Sequence, residues 1–151
     1  MRIALESPDQ PEVIHLIAEL DAYQDTLYPP ESRHLLGLEA LKQANVLFVV
    51  ARDATGQAVG CGAIVVAPEY GELKRMYVHP RCRGQGVAKA VLGLLESEAS
   101  ALGCKLLKLE TGPRQPEALG LYASYGYELR GPFGKYTDDP LSVFMQKRIE
   151  S

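Results

Sequence analysis

The chain predicts an α/β fold built on one mixed sheet, and three observations carry that reading. Three β-type runs, 46–51, 58–67 and 72–78, follow one another through short turn-rich connections, as antiparallel neighbours do. A further run, 104–109, is separated from 72–78 by a glycine-bearing loop and a strongly amphipathic stretch. That is the pattern of a strand–helix–strand unit whose strands lie parallel through a right-handed crossover. The 151 residues, 46% hydrophobic and 23% charged, suit a single domain over 1–151 with a substantial core.

In order, 2–5 reads as a short first strand. Ser7 or Asp9 is placed to cap a helix over 12–23, with Pro8 and Pro11 near its first turn. Val13, Leu16, Ile17 and Leu20 recur at helical spacing and give it one buried face. Tyr28-Pro29-Pro30 stops that helix, because each proline disfavours helical backbone in the residue before it. A second helix is expected from Glu31–Ser32 through Leu41. The stretch 25–34, with Tyr28, Glu31, Arg33 and His34 around two prolines, looks like a shaped surface rather than a linker.

Asp53-Ala54-Thr55-Gly56 and Pro68-Glu69-Tyr70-Gly71 turn the chain between the three antiparallel runs. Gly60 and Gly62, inside the second run, mark a bulge or a close approach. The main helix starts near Gln85, sets Val87, Val91, Leu94, Leu95, Ala99 and Leu102 along one face, and ends at Gly103. Gln115-Pro116 opens a short helix that Gly126 closes. Strands over 127–129 and 141–147, with a loop between them, complete the set.

Composition excludes several classes. A net charge of −3 gives no ground for nucleic-acid binding. No apolar run approaches the roughly 20 residues of a membrane span, and no signal-peptide pattern opens the chain, so a cytoplasmic protein is expected. Cys61, Cys82 and Cys104 are odd in number and lack metal-type spacing; they read as reduced thiols, and no metal is expected.

The stretch that carries chemistry is Val78-His79-Pro80-Arg81-Cys82-Arg83-Gly84-Gln85-Gly86-Val87-Ala88. A strand, a proline, two glycines flanked by arginine and then a helix leave several backbone N–H groups unpaired at the positive end of the helix dipole. Gly84 and Gly86 let the backbone approach a phosphate with no Cβ in the way. A pyrophosphate-bearing cofactor held mainly by main chain is the implied ligand. Val87 and Ala88 follow Gly86 where a Walker loop needs Lys-Ser/Thr, and Lys89 stands where a dinucleotide fingerprint needs its third glycine.

Arg81-x-x-Gly84-x-Gly86 resembles the acetyl-CoA signature, Gln/Arg-x-x-Gly-x-Gly/Ala, of the GNAT superfamily of N-acetyltransferases. Gln115-x-x-Ala118-x-x-Leu121-Tyr122-x-x-x-Gly126-Tyr127 resembles the same family's Asn-x-x-Ala-x-x-Leu-Tyr-x-x-x-Gly-Phe/Tyr block. The resemblance covers 72–127 in detail. The segments 28–34 and 132–147 also look like a bacterial acetyltransferase branch of that family.

The resemblance implies a mixed, mostly antiparallel sheet of about seven strands, flanked by about four helices, with a splayed parallel pair. It implies acetyl-CoA as co-substrate, held by Met76, Tyr77, Val78, Arg81, Arg83, Gly84, Gln85, Gly86, Val87, Ala88, Gln115 and Tyr122. Main-chain groups near Met76 and Val78 would pair with pantetheine as an added strand does. Gln115 keeps the amide of the family's usual Asn but adds a methylene. Tyr122 stands at the position whose phenol protonates the departing thiolate, a transfer between groups of similar pKa. Glu72 falls where histone-type members carry a catalytic glutamate and is the candidate base; the alternative is an ordinary strand-end carboxylate paired with Lys74 on the same face.

The expected function is acetyl transfer to an amine of a small molecule that also carries an anionic group. Tyr28, Arg33, His34, Phe133 and Tyr136 are the expected substrate-binding residues, with Arg33 able to clamp a carboxylate and His34 to add a donor when protonated. A CoA-binding module without turnover, an acetyltransferase acting on a protein amine, and a homodimeric assembly are the alternatives left open.

Overall fold

Apolar, β-branched runs without helical period form the middle of the sheet, and the computed structural model, which describes residues 1–32 and 36–149, gives their bounds. The strands are β1 (Arg2–Leu5), β2 (Val46–Arg52), β3 (Ala58–Val66), β4 (Gly71–Val78), β5 (Leu106–Thr111), β6 (Glu128–Arg130) and β7 (Val143–Arg148). Among the described residues they form one seven-stranded sheet in the order β1-β2-β3-β4-β5-β7-β6. The contacts are antiparallel except between β4 and β5, which run parallel. The helices are α1 (Pro11–Asp25), α2 (Leu38–Leu41), α3 (Val87–Ala101) and α4 (Pro116–Ser124), with 3-10 turns at Pro30–Ser32 and Pro80–Cys82. The mixed sheet and its helix count agree with the expected fold class.

Alternation along β2 divides the core between the two faces. Phe48, Val50, Cys61, Ala63 and Tyr77 pack with Val13, Leu16 and Leu20 of α1. Val49, Ala51, Val59 and Ile64 pack with Val87, Val91, Leu92, Leu95 and Ala99 of α3. Leu102, expected on that buried face, is 65% exposed, because it is the C-cap residue and the chain turns away at Gly103 with φ +88°. The cap of α1 also differs: Gln10 occupies the position, with Pro11 in the first turn, and Ser7 Oγ instead accepts the Asp9 N–H at 3.1 Å. The expected long second helix is broken. Only Pro30–Ser32 and Leu38–Leu41 are helical among the described residues, and Gly37 before the latter has extended backbone.

Two irregularities in β4 shape the surface at its outer end. Lys74 pairs with Ala63 and Tyr77 with Cys61, so Arg75 and Met76 both stand opposite Gly62, a β-bulge. Arg75 takes φ +59°, the only non-glycine positive φ among the described residues. Its guanidinium donates to Asp21 Oδ1 and to the Leu36 carbonyl, which holds the strained turn in place. Gly62 is required beneath it: a Cβ there would overlap Met76 Sδ and lie 3.0 Å from side-chain carbons of Leu95 and Val91. Gly62→Ala should therefore lower stability by about 1–3 kcal/mol, as overpacking of a filled core does, in urea titrations compared with the parent.

The second irregularity is the parallel contact itself. β4 and β5 pair only over Gly71–Leu73 with Leu107–Leu109. Beyond that point Lys74–Val78 and Glu110–Thr111 are unpaired with each other, and the sheet forks.

Candidate active site

The fork opens two adjoining spaces. One is a groove of about 390 Å³ between the outer half of β4, the loop 82–89 and α4. Its floor includes Met76, Tyr77 and Val78; its end is made by Arg83, Gly84, Gly86, Val87, Ala88 and Lys89; its far wall is Gln115, Ala118, Leu121 and Tyr122 of α4 and its N-cap. The other is a smaller cavity of about 100 Å³ between the fork and the α1 side, bounded by Tyr28, Lys74, Arg75, Glu110 and Thr111 among others. Leu20, Met76, Gln115, Ala118 and Tyr122 border both spaces.

The loop at the groove's end is built by local chemistry. His79 N–H donates to the Val59 carbonyl at 2.8 Å and its Nδ1 accepts the Arg81 N–H at 3.2 Å, which sets up the 3-10 turn after Pro80. Gly84 and Gly86 then take φ +79° and +80°, and nothing lies within 4 Å of where either Cβ would be. Gly86 is the N-cap of α3, so the first-turn amides of a 15-residue helix face the groove's end with no intrahelical acceptor. Cys82, buried, also lines the groove.

Tyr122 sits where the two spaces meet. It is 6% exposed and packs edge-on to Tyr127 with ring centroids 5.7 Å apart. Burial holds its phenol above the ordinary tyrosine range, so the proton is retained at all working pH.

Glu110 is the titratable group that sequence reasoning missed. It lies at the first position of β5 beyond the fork, on the wall of the smaller cavity. Burial pushes its carboxyl up to about 7; the Ser142 hydroxyl and the Lys74 ammonium pull the other way, and Glu72 and Asp139 add to the rise. A carboxyl poised there can hold or release a proton near neutrality.

Glu72, the expected base, lies before the fork. It accepts a hydrogen bond from Tyr136 Oη and faces Lys74 Nζ at 3.1 Å, and it borders neither space. Lys74 also donates to Tyr136 Oη at 2.5 Å, so the three half-buried side chains form one polar knot behind Glu110.

A sequence profile of the acetyltransferase (GNAT) family matches residues 12–127. An "IAA acetyltransferase" of Azospirillum brasilense is 50% identical over 149 residues, 97% of each chain. The chain belongs to the GNAT acetyltransferase family. It is an acyltransferase by that membership. An uncharacterized N-acetyltransferase of Bacillus subtilis, YsnE, is 36% identical over 99% of this chain and 100% of its own. A Klebsiella pneumoniae structure described as an acyl-CoA N-acyltransferase superposes with TM-score 0.84 at 40% identity, covering 98% of this chain and 97% of that one. An aminoglycoside 6'-N-acetyltransferase solved with coenzyme A shares the fold at TM-score 0.76 and 17% identity, covering 100% of this chain and 98% of that one.

Against the family's pattern the expected residues divide. Met76, Tyr77, Val78, Arg83, Gly84, Gly86, Val87, Ala88, Gln115 and Tyr122 are gathered on the groove. Arg81 and Gln85 are not: Arg81 reaches away to Gln57 Oε1 at 2.8 Å and Asp53 Oδ2 at 3.9 Å, and Gln85 folds back to the Arg81 carbonyl at 3.5 Å. Arg83 Nε donates to the Val78 carbonyl at 3.2 Å. Tyr23 and Glu117, unmarked in the sequence, join across the groove at 3.3 Å.

Of the expected acceptor residues, Tyr28 borders the smaller cavity. Phe133 does not: it is 5% exposed and packs edge-on against Tyr70, Tyr136 and Phe144, an aromatic cluster beside the polar knot. Tyr136 belongs to the knot, not to the cavity wall. Arg33 and His34 lie outside the described residues. Among the described residues no group of three or more potential metal ligands occurs, and no helix is long and apolar enough to cross a membrane.

Proposed function

We propose that the chain transfers acetyl from acetyl-CoA to the amine of a small molecule by direct attack, with Glu110 as general base and Tyr122 as general acid. The observation that carries this reading is the fork: two spaces that meet at Met76 and Tyr122, one with an anion-accepting end and one with a carboxyl titrating near neutrality. The groove suits acetyl-CoA because its end offers main-chain N–H groups to a diphosphate and Gly84 and Gly86 leave the approach open. Membership of the family, and a relative at 50% identity named for acetyl transfer, support the choice of acyl donor.

Each residue's task follows from its surroundings. Glu110, ionised in part at neutral pH, takes a proton from the bound ammonium and leaves a free amine to attack the thioester carbon. The carbon–nitrogen bond forms, the carbon–sulfur bond breaks, Tyr122 gives its proton to the leaving thiolate, and the second proton on the new amide nitrogen restores the Tyr122 phenol. Burial keeps that phenol protonated but also makes it a weaker acid than the thiol it serves, so the pKa match expected from the sequence does not hold in the free protein. Glu72 is set aside as base, because its carboxylate is engaged by Tyr136 and Lys74 and borders neither space. The knot instead fixes Lys74 beside Glu110.

Thiol release from acetyl-CoA over an amine panel tests the reading. Tyr122→Phe should keep the acetyl-CoA Kd, measured by calorimetry, while kcat drops about 10²–10⁴-fold. A kcat within about twofold of the parent in a chemistry-limited assay would make the tyrosine packing only. Binding of acetyl-CoA with no thiol release to any amine would favour the non-catalytic module.

A further inference from the structure

We propose that Ser142 is the positioning residue of the general base: its buried hydroxyl completes its hydrogen bonding by donating to the ionised carboxylate of Glu110. This rests on the acetyl-transfer reading above and adds a residue to the same site.

Two independent observations meet here. Ser142 Oγ is buried and has no hydrogen-bond partner among the described residues. Glu110 is a carboxyl that burial pushes up to about 7. Strand register brings the two together. Glu110 pairs with Phe144 across the antiparallel ladder of β5 and β7, so Ser142, two residues before Phe144, lies diagonal to it on the same face.

A buried hydroxyl left without a partner costs stability, so its retention needs a physical reason. A carboxylate supplies one, since it accepts a further donor more strongly than a protonated carboxyl does. The hydroxyl turns about its own C–O bond, so it meets Glu110 when the proton leaves without any movement of the chain. The backbone at Ser142 is fixed meanwhile: its N–H donates to the Asp139 carbonyl at 2.9 Å, and Asp139 Oδ1 accepts the Leu141 N–H at 2.8 Å.

The charged and titratable groups that face Glu110 are Lys74 and Glu72 from β4, Asp139 and Tyr136 from the loop before β7, and Tyr28 after α1. Glu72 and Asp139 oppose its charge. Lys74, the one cation among them, is already engaged by Glu72 at 3.1 Å and by Tyr136. Arg75, on the same cavity, is engaged by Asp21. The neutral hydroxyl outweighs the ammonium as support for the carboxylate.

The test is a carboxyl-carbon NMR titration of the protein carrying isotope-labelled glutamate, with no acyl donor or acceptor added. Glu110→Gln identifies the Glu110 resonance by removing it. In the parent that resonance should titrate near pH 7. Ser142→Ala should raise the midpoint by about one pH unit, the weight of one hydrogen bond to an ionised group. Ser142→Thr keeps a hydroxyl and should leave the midpoint near the parent's. Melting gives a second readout. Ser142→Ala should match or exceed the parent's Tm at about pH 5 and fall below it at about pH 8, because the lost bond belongs to the ionised form. A packing role would shift Tm equally at both. In thiol release from acetyl-CoA, the pH limb of kcat/KM should move with the NMR midpoint. A midpoint unmoved in cooperatively melting Ser142→Ala, or moved as far by Ser142→Thr, overturns the proposal and leaves acetyl transfer standing. A midpoint that moves while the rate limb stays overturns Glu110 as base, and the part of Ser142 with it. Acetyl-CoA bound with no thiol released to any amine overturns the acetyl-transfer reading and this inference together.

Discussion

Glu110→Gln should lower kcat/KM for a good acceptor by about 10²–10⁴-fold at neutral pH, the range a positioned general base contributes. The parent's kcat/KM should rise with pH through about 7, where the buried carboxyl loses its proton, and that limb should disappear from the variant's profile. Stability should move the other way. The folded-state pKa of about 7 lies above the ordinary 4.5, so the folded protein holds this proton more tightly than the unfolded chain. Below pH 4.5 both states are protonated and the group does least harm to the fold; as pH rises from 4.5 towards 7 stability is progressively lost. Gln mimics the protonated form, so the variant should melt at least as high as the parent above pH 7. Lost activity together with retained or raised Tm separates catalysis from folding. A variant whose pH–rate limb stays near 7 would transfer the base role elsewhere.

Gly86→Asp should remove acetyl-CoA binding from the measurable range in calorimetry. Two effects add. Gly86 has φ +80°, which a side-chain-bearing residue adopts at a cost of about 1 kcal/mol or more. The new carboxylate would also sit at the N-cap of α3, facing the space where a diphosphate meets the first-turn amides. Charge-assisted bonds to those amides contribute roughly 1.5–3 kcal/mol each, so losing two or three costs about 3–9 kcal/mol and takes a micromolar complex to about 0.2 mM or weaker. Since nothing lies within 4 Å of that Cβ, the core under α3 should be undisturbed and the variant should fold. Unchanged affinity would place the diphosphate away from this loop.

The frame was legible in the sequence because its signals are local. Proline at the first turn of α4, glycine after α3 and the apolar runs of β2 and β3 each act through their own backbone. The long second helix failed because Gly37, with extended backbone, interrupts a run that looks helical by leucine spacing alone. Leu102 matched the helical period but falls on the C-cap, past the last turn that meets the sheet. Glu110 was hidden for a different reason. Leu107 and Leu109 are buried while Lys108 and Glu110 alternate with them, the pattern of an ordinary half-solvated strand. The groups that set its charge balance come from distant segments: the Lys74 end of β4 and the chain around Ser142. No spacing rule reports such a meeting. Glu72 shows the converse, since its position along β4 matches a known role while Tyr136, 64 residues away, occupies its carboxylate. Phe133 likewise joined an aromatic cluster that takes Tyr70 from a distant turn and Phe144 from β7.

The three-residue parallel contact makes the sheet two blades sharing a seam, β1 to β4 on one side and β5, β7 and β6 on the other. Amide hydrogen exchange should read that division directly. Along β4 beyond Leu73, N–H groups that point to β3 are in the ladder, while those on the β5 side have no strand to hold them and should exchange early. A ligand threaded into the fork would supply the missing edge and slow those amides selectively. The blades would then exchange as one unit, so the bound protein is expected to open less often as well as to react.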